Sequence, residues 1–313
     1  MMADIRFYDL DFNLLHILPP FADTRGYKAI ITQQNFNDCG SLEIVFRDDK
    51  LKQLVKEYRD NMLIVWNGFQ GFMTSDKFTD TEYRITGMHL NGLLHRAVIK
   101  VTTEKNDTVG NIARTAAEQI SWITVDTSTD IATSVTYGTD KPKKADEFLQ
   151  NLFTAGKCGY EIKADVQNKK YILRLINTAQ NDLMLSKANL NVYNVETMYI
   201  GKEKAFGGWY KNSDDVWNYI TTDSTKSGIH NFDTVLSAET EAEAQNELKR
   251  CRPEYEITAD TRNIEYGKDY NIGDIIRVQE NGITKRQLVS GIERYQENGY
   301  AEQPILTDYE EET

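Results

Sequence analysis

Through the first hundred residues apolar and polar positions alternate with a period near two, as strands with one buried face require. Ile5-Arg6-Phe7-Tyr8 and Leu14-Leu15-His16-Ile17-Leu18 flank a turn-forming Asp9/Asp11/Asn13 cluster, predicting two short strands. Leu42, Ile44 and Phe46 alternate with Glu43 and Val45 in a further strand. The period then lengthens. Leu51, Leu54, Val55 and Tyr58 stand at i, i+3, i+4 and i+7, which predicts a short amphipathic helix with Asp48 and Asp49 as candidate caps. Residues 63–66, the pair Asn67-Gly68 and residues 69–72 spell a hairpin, because both turn residues tolerate positive φ. A third strand, 83–87, follows the polar turn around Asp80.

From Asp107 the pattern becomes mixed. Asp107 is placed to cap a helix whose stripe is Val109, Ile112, Ala113, Ala116 and Ile120. Phe148, Leu149, Leu152 and Phe153 mark a second helix, with Gly156 suited to a left-handed C-terminal position. Residues 160–166 and 171–176 read as a hairpin around the polar turn 167–170, and 190–200 as another strand. No clean period runs through 202–228, which predicts a long exposed loop hinged at Gly207-Gly208. Residues 240–252 predict a helix: Thr240 and Glu243 form a capping box, Ala244, Leu248 and Cys251 share a face, and Pro253 stops it.

A meander closes the pattern, with strands at 274–278, 287–295 and 300–306 and turns at Asn281-Gly282 and Asn298-Gly299. Residues 62–68 resemble 274–282 in order: strand, Asn-Gly turn, strand, turn, strand. Either the chain carries two related curved sheets, or two meanders simply obey the same rules. The expected architecture is α+β and β-rich. Two tube-like β-barrel or curved-sheet domains, 1–105 and 191–313, flank an inserted α/β module at 106–190.

A length of 313 residues fits about two domains by the prior of roughly 150 residues each. With 40% hydrophobic and 27% charged residues the chain is neither disordered nor fibrous. Its longest uncharged apolar runs, such as 62–66, fall far short of the ~20 residues that span a bilayer, and no basic-then-apolar leader opens it. Neither a membrane anchor nor Sec-type export is expected. A net charge of −12 opposes general attraction to nucleic acid or anionic lipid. Cys39, Cys158 and Cys251 lie far apart and odd in number, as packed reduced thiols do.

Chemistry-bearing patterns are sparse. His16, His89, His95 and His230 lack metal-ligand spacing; GxSxG and GxxxxGK[ST] are absent. Asp9/Asp11 read as turn formers, Asp214/Asp215 fall in the loop, and Glu310-Glu311-Glu312 is a solvated tail. No catalytic, metal or cofactor residues are therefore assigned, and the chain is expected not to be an enzyme. Trp209, Tyr210, Trp217 and Tyr219 form the one candidate contact surface, for a glycan or a protein; the alternative is that they pack the loop onto its own domain.

The order of motifs resembles the siphovirus Gp37-like tail-hub family, within the lineage of phage baseplate hubs. The matching stretches are Phe7-Tyr8-Asp9-Leu10-Asp11-Phe12-Asn13-Leu14-Leu15 and Gly40-Ser41-Leu42-Glu43-Ile44-Val45-Phe46. Further on come Ala145-Asp146-Glu147-Phe148-Leu149-Gln150-Asn151-Leu152-Phe153 running into Gly159-Tyr160-Glu161-Ile162, and Tyr270-Asn271-Ile272-Gly273-Asp274-Ile275-Ile276-Arg277-Val278. Asn35-Phe36-Asn37-Asp38-Cys39 departs from the Pro-Gly turn expected there, and the aromatic stretch is particular to this chain. The resemblance implies a structural hub of a phage or prophage tail, made in the bacterial cytoplasm and placed at the baseplate or tip of the virion tail. It implies a homotrimeric ring with pseudo-sixfold symmetry that joins tail tube to tail tip. Implied partners are the distal tail protein or tail tube and the tail-tip or fibre proteins, with DNA as non-specific cargo through the lumen. A tail-associated cell-wall hydrolase and a receptor- or carbohydrate-binding tail protein are the alternatives.

Overall fold

The computed structural model describes residues 3–20, 26–80, 82–200, 205–212, 214–238, 254–280, 283–297 and 299–309, with 241, 244, 245, 248 and 251. The first seven strands and a helix are β1 (Ile5–Asp9), β2 (Leu14–Leu18), β3 (Tyr27–Asn35), β4 (Ser41–Phe46), α1 (Asp49–Tyr58), β5 (Met62–Trp66), β6 (Phe69–Phe78) and β7 (Tyr83–His89). A mixed stretch follows: β8 (Val98–Ile99), β9 (Thr102–Thr108), α2 (Val109–Ala117), β10 (Ile123–Val125), β11 (Ser134–Thr139), β12 (Lys143–Lys144), α3 (Ala145–Ala155), β13 (Gly159–Asp165) and β14 (Lys170–Ile176). Then come β15 (Ala179–Leu185), β16 (Val192–Ile200), β17 (Gly207–Lys211), β18 (Trp217–Thr221), β19 (Asp233–Val235), β20 (Glu254–Thr261), β21 (Asp274–Glu280), β22 (Ile283–Gln296) and β23 (Tyr300–Asp308). The protein is β-rich with several sheets, and none of them closes into a barrel among the described residues.

One sheet holds eleven strands in the order β15-β21-β22-β3-β4-β7-β6-β5-β1-β2, with β23 also on β22. Both predicted meanders form: β5-β6-β7 and β21-β22-β23 are antiparallel throughout. Asn67 and Gly68 take φ of 45° and 83°, as their hairpin turn demands. Asn281-Gly282 and Asn298 lie outside the described residues. The long strand β22 joins the two regions. Its residues 283–288 pair with β21 and 291–296 with β3 along one edge, while β23 runs along the other. Where the partner changes, Gly273 N donates to Val289 O at 2.9 Å and Phe36 N to Ser290 O at 2.8 Å, so the carbonyls at the seam stay satisfied.

Two cores explain the strand patterns. Met62, Ile64 and Trp66 enter a core with Ile5, Phe7, Ile30, Ile44 and α1, whereas Leu63, the alternate residue, joins α2, α3, β13 and β14 on the far side. Being covered on both faces is why β5 reads as a continuous apolar run. Asp48 caps α1 by accepting from Leu51 N at 2.7 Å, and Leu51 and Val55 are buried beneath it. Burial of each such side chain is worth about 1.5–3 kcal/mol.

Two cap assignments shift. Thr108 rather than Asp107 caps α2, its hydroxyl accepting from Asn111 N, while Asp107 accepts from Thr108 N and Asn111 Nδ2. After α3 the left-handed residue is Lys157 (φ 52°), and Gly156 is right-handed. Gly156 serves close packing instead: a Cβ there would stand 2.5 Å from Val109 Cγ2.

The chain divides into two compact units, 1–194 with 259–313, and 195–258. In the second, the predicted loop 202–228 is in its described part a hairpin. β17 and β18 pair from Gly207↔Thr221 to Lys211↔Trp217, and β19 adds in parallel to β17. Gly207-Gly208 is thus strand, not hinge; the two glycines and many polar residues hid a period-two pattern too short to stand out. Glu241, Ala244, Gln245 and Leu248 are helical as predicted for 240–252, with Ala244 and Leu248 buried; Thr240, Glu243 and Pro253 lie outside the described residues.

Candidate interaction surfaces

Burial pushes the Cys39 and Cys158 thiols up to about 11 and about 12, the reverse of an activated thiolate, and none of the three cysteines is in a disulfide. His89 is buried and pushed down to about 3, chiefly by desolvation. His16 and His95 stand 3.6 and 2.9 Å from Asp48 and Asp146, each beside a lone carboxylate. The side chain of His230 lies outside what is described. Among the described residues no group of three or more His, Cys, Asp or Glu side chains could hold a metal. The Asp9 carboxylate is engaged by Asp11 N, Asn13 N and Asn13 Nδ2, as a turn former's is.

Sheet edges come next. Among the described residues β2, β15 and β23 each pair on one side only, with β1, β21 and β22 respectively. On β2, Leu14 and Ile17 are exposed. An edge strand that combines unpaired backbone groups with exposed aliphatics is a template for another strand. By contrast, β13, an edge of its own three-stranded sheet, is blocked. Asn91 Nδ2 donates to Tyr160 O at 3.3 Å and Asn91 Oδ1 accepts from Ile162 N at 2.8 Å. Gln70 then bonds both backbone groups of Ala164, at 2.7 and 2.9 Å. Two side-chain amides thus occupy the positions a neighbouring strand would fill.

The broad face of the large sheet is mixed. Tyr295, Ile31, Glu43 and Thr86 lie side by side across β22, β3, β4 and β7, with Tyr295 and Ile31 exposed. The opposite side is buried, apolar at Ile30, Leu42 and Ile44 and polar at Thr32, Gln34 and Arg294. Arg294, 2% exposed, donates through Nε to Glu302 at 3.0 Å and lies 4.9 Å from the Tyr266 ring centroid. Gln34 Nε2 reaches Glu161 on β13 at 2.8 Å. This network ties β3, β22 and β23 to β13.

The aromatic candidates divide. Trp209, Trp217 and Tyr219 are exposed on one face of the β18-β17-β19 sheet, and the Trp209 and Tyr219 rings lie 5.0 Å apart. Tyr210 is not part of that surface. Strand alternation turns it to the other face, where it is buried with Leu236, Ala244 and Leu248. That Trp209 and Tyr210 face opposite ways is illegible in a stretch that reads as loop, because only a strand imposes the alternation.

No protein-family profile matches the chain, and no curated protein does. Solved structures do. The tail protein of Neisseria meningitidis MC58 superposes with a TM-score of 0.60 at 14% identity, over 98% of this chain and 97% of that one. This chain has a phage tail protein fold. The 43 kDa tail protein of prophage MuSo2 from Shewanella oneidensis gives the same TM-score at 12% identity, over 97% and 98% of the two chains. Prophage tail protein gp18 of Listeria monocytogenes EGD-e gives 0.56 at 14% identity, over 99% and 95%. The tail protein fold therefore extends over nearly the whole chain, through both meanders and the mixed stretch between them. Among the described residues no helix is long and apolar enough to cross a membrane.

Proposed function

We propose that this protein is a non-enzymatic hub or baseplate component of a phage or prophage tail, of the Gp37-like kind, located at the tip of the virion tail. The observation that carries the reading is the near end-to-end likeness to tail proteins, together with a large sheet whose edge strands among the described residues are β2, β15 and β23. Copies meeting edge to edge, β2 of one against a different edge of the next, make heterologous contacts, and those close into a ring. The two meanders are the units that let three copies present six similar elements to a tail tube, with the stretch 106–190 as an insertion between them. Neighbours in this reading are the distal tail protein or tail tube on one side and tip or fibre proteins on the other. The excess of acidic residues suits a lumen that DNA crosses without sticking.

Self-association, alone or with tail components, tests the proposal. Mass by light scattering and electron microscopy of reconstituted tails should give a threefold ring. Ile17→Lys on the exposed side of β2 should abolish the ring while leaving the melting temperature of the separate chain unchanged. A chain that never enters a tail ring overturns the reading.

A further inference from the structure

The outward face of the β18-β17-β19 sheet has a construction that packing of its own unit does not explain. On that face stand Gly207, Trp209 and Lys211 from β17, Trp217, Tyr219 and Thr221 from β18, and Asp233 and Val235 from β19. Gly207 leaves a vacancy that Tyr219 fills. A Cβ on Gly207 would lie 2.0 Å from the Tyr219 hydroxyl and 2.3 Å from Asp233 Oδ1, so the tyrosine ring extends across the backbone of β17 toward β19. There its hydroxyl donates to Asp233 Oδ1 at 3.0 Å and accepts from Asn231 Nδ2 at 3.1 Å. Asn231 Nδ2 also reaches Asp233 Oδ1 at 2.9 Å. The ring is thus fixed at its tip and remains 38% exposed. Trp209 lies beside it at 53° to its plane, 44% exposed, and Trp217, two residues before Tyr219 on the same strand face, is 51% exposed.

We infer that this face is a binding platform for a neutral oligosaccharide, with Tyr219, Trp209 and Trp217 stacking against sugar rings. Three features support a sugar over other occupants. Tyr219 is held by hydrogen bonds and Trp209 lies against its ring before any ligand arrives, so these two have little side-chain freedom left to lose on stacking. A carboxylate and an amide sit at the edge of the aromatic row, where sugar hydroxyls need partners, and Asp233 Oδ2 has no protein partner among the described residues. Charge excludes polyanions. Lys211, the one cation on the face among the described residues, is paired with Asp215 at 2.7 Å, and acidic residues outnumber basic ones over 195–258. A phosphodiester polymer or nucleic acid would meet repulsion here, whereas an uncharged glycan would not.

The inference is independent of ring formation, which is read by mass and microscopy. Titrate the intact chain with cellohexaose, maltohexaose and the hexamer of N-acetylglucosamine, following tryptophan fluorescence and heat. At least one should bind saturably, and dextran sulfate should neither bind nor compete. Trp209→Ala and Trp217→Ala, with unchanged melting curves, should each weaken binding roughly tenfold. Gly207→Ala keeps every ring but displaces Tyr219 and should weaken it similarly; Tyr219→Phe, which frees the ring tip without adding bulk, is the check if that variant melts early. Absence of saturable binding to all three sugars overturns the inference. So does binding that the tryptophan variants leave intact, or loss of self-association in those variants without any sugar binding, which would give the face to a second copy.

Discussion

His89 is 1% exposed at the end of β7, with Asn91 N donating to its Nδ1 at 3.3 Å and the Phe69 ring 5.5 Å away. Desolvation, then the positive charges of Arg294 and Lys163, hold it neutral by depressing its pKa from 6.5 to about 3. A depressed folded-state value means the unfolded chain binds the extra proton first. The stability this group contributes is complete above pH 6.5 and is lost as pH falls from there toward 3, at up to about 1.4 kcal/mol per pH unit. Urea midpoints measured from pH 7 to pH 4.5 should therefore fall less steeply in His89→Gln than in the parent chain. At this scale the sequence was legible where a residue acts through its own backbone, as Asp48 and Asn67 do. It was illegible where a neighbour decides: Gly156 is a glycine because Val109 is close, and Gly207 because Tyr219 crosses it.

Elements show the same division. α1 and β5-β6-β7 were readable because their apolar periods match their burial. β3 was not, although it lies inside the large sheet: its inward residues after Ile30 are Thr32 and Gln34, both buried. Those positions face the Arg294–Glu302–Glu161 network, so burial there carries no hydrophobic signal. The amide block on β13 makes an element-level prediction. Asn91→Leu keeps the volume but strands Ile162 N–H and Tyr160 C=O in a buried setting, and should cost about 2–4 kcal/mol in urea unfolding. Gln70→Ala, at a half-buried position, should cost less. Gln70→Ala, which removes the side chain covering Ala164, should also raise the tendency to associate through β13, seen as concentration-dependent light scattering.

For the whole molecule, the order of motifs conveyed the tail protein fold, while the joining of both meanders in one sheet was not readable from local pattern. The second unit is the more surprising feature, since its sheet occupies a region that reads as loop. The two stretches of unit 1 that flank it are held together: Arg262 N donates to Asn191 O at 2.9 Å and Arg262 Nε to Leu190 O at 3.0 Å. Replacing 195–258 by a short Gly-Ser linker should leave unit 1 folded, with its cores and β22 seam intact, as judged by near-ultraviolet circular dichroism and a cooperative melt. Sugar binding should vanish from that variant while ring entry persists.

The pairing of β3 with residues 291–296 spans some of the greatest sequence separation available to this chain. Contacts that remote are slow to form, because the intervening polymer must be gathered before they repay it. Until residues 291–296 are available, β3 is paired on its β4 side and lacks the β22 neighbour on its other side. A chain that has folded β3 and β4 but not yet docked β22 thus carries an open strand edge that other chains can pair with. Production at lowered temperature, or alongside a holding chaperone, should raise the yield of soluble protein more than any change to its surface.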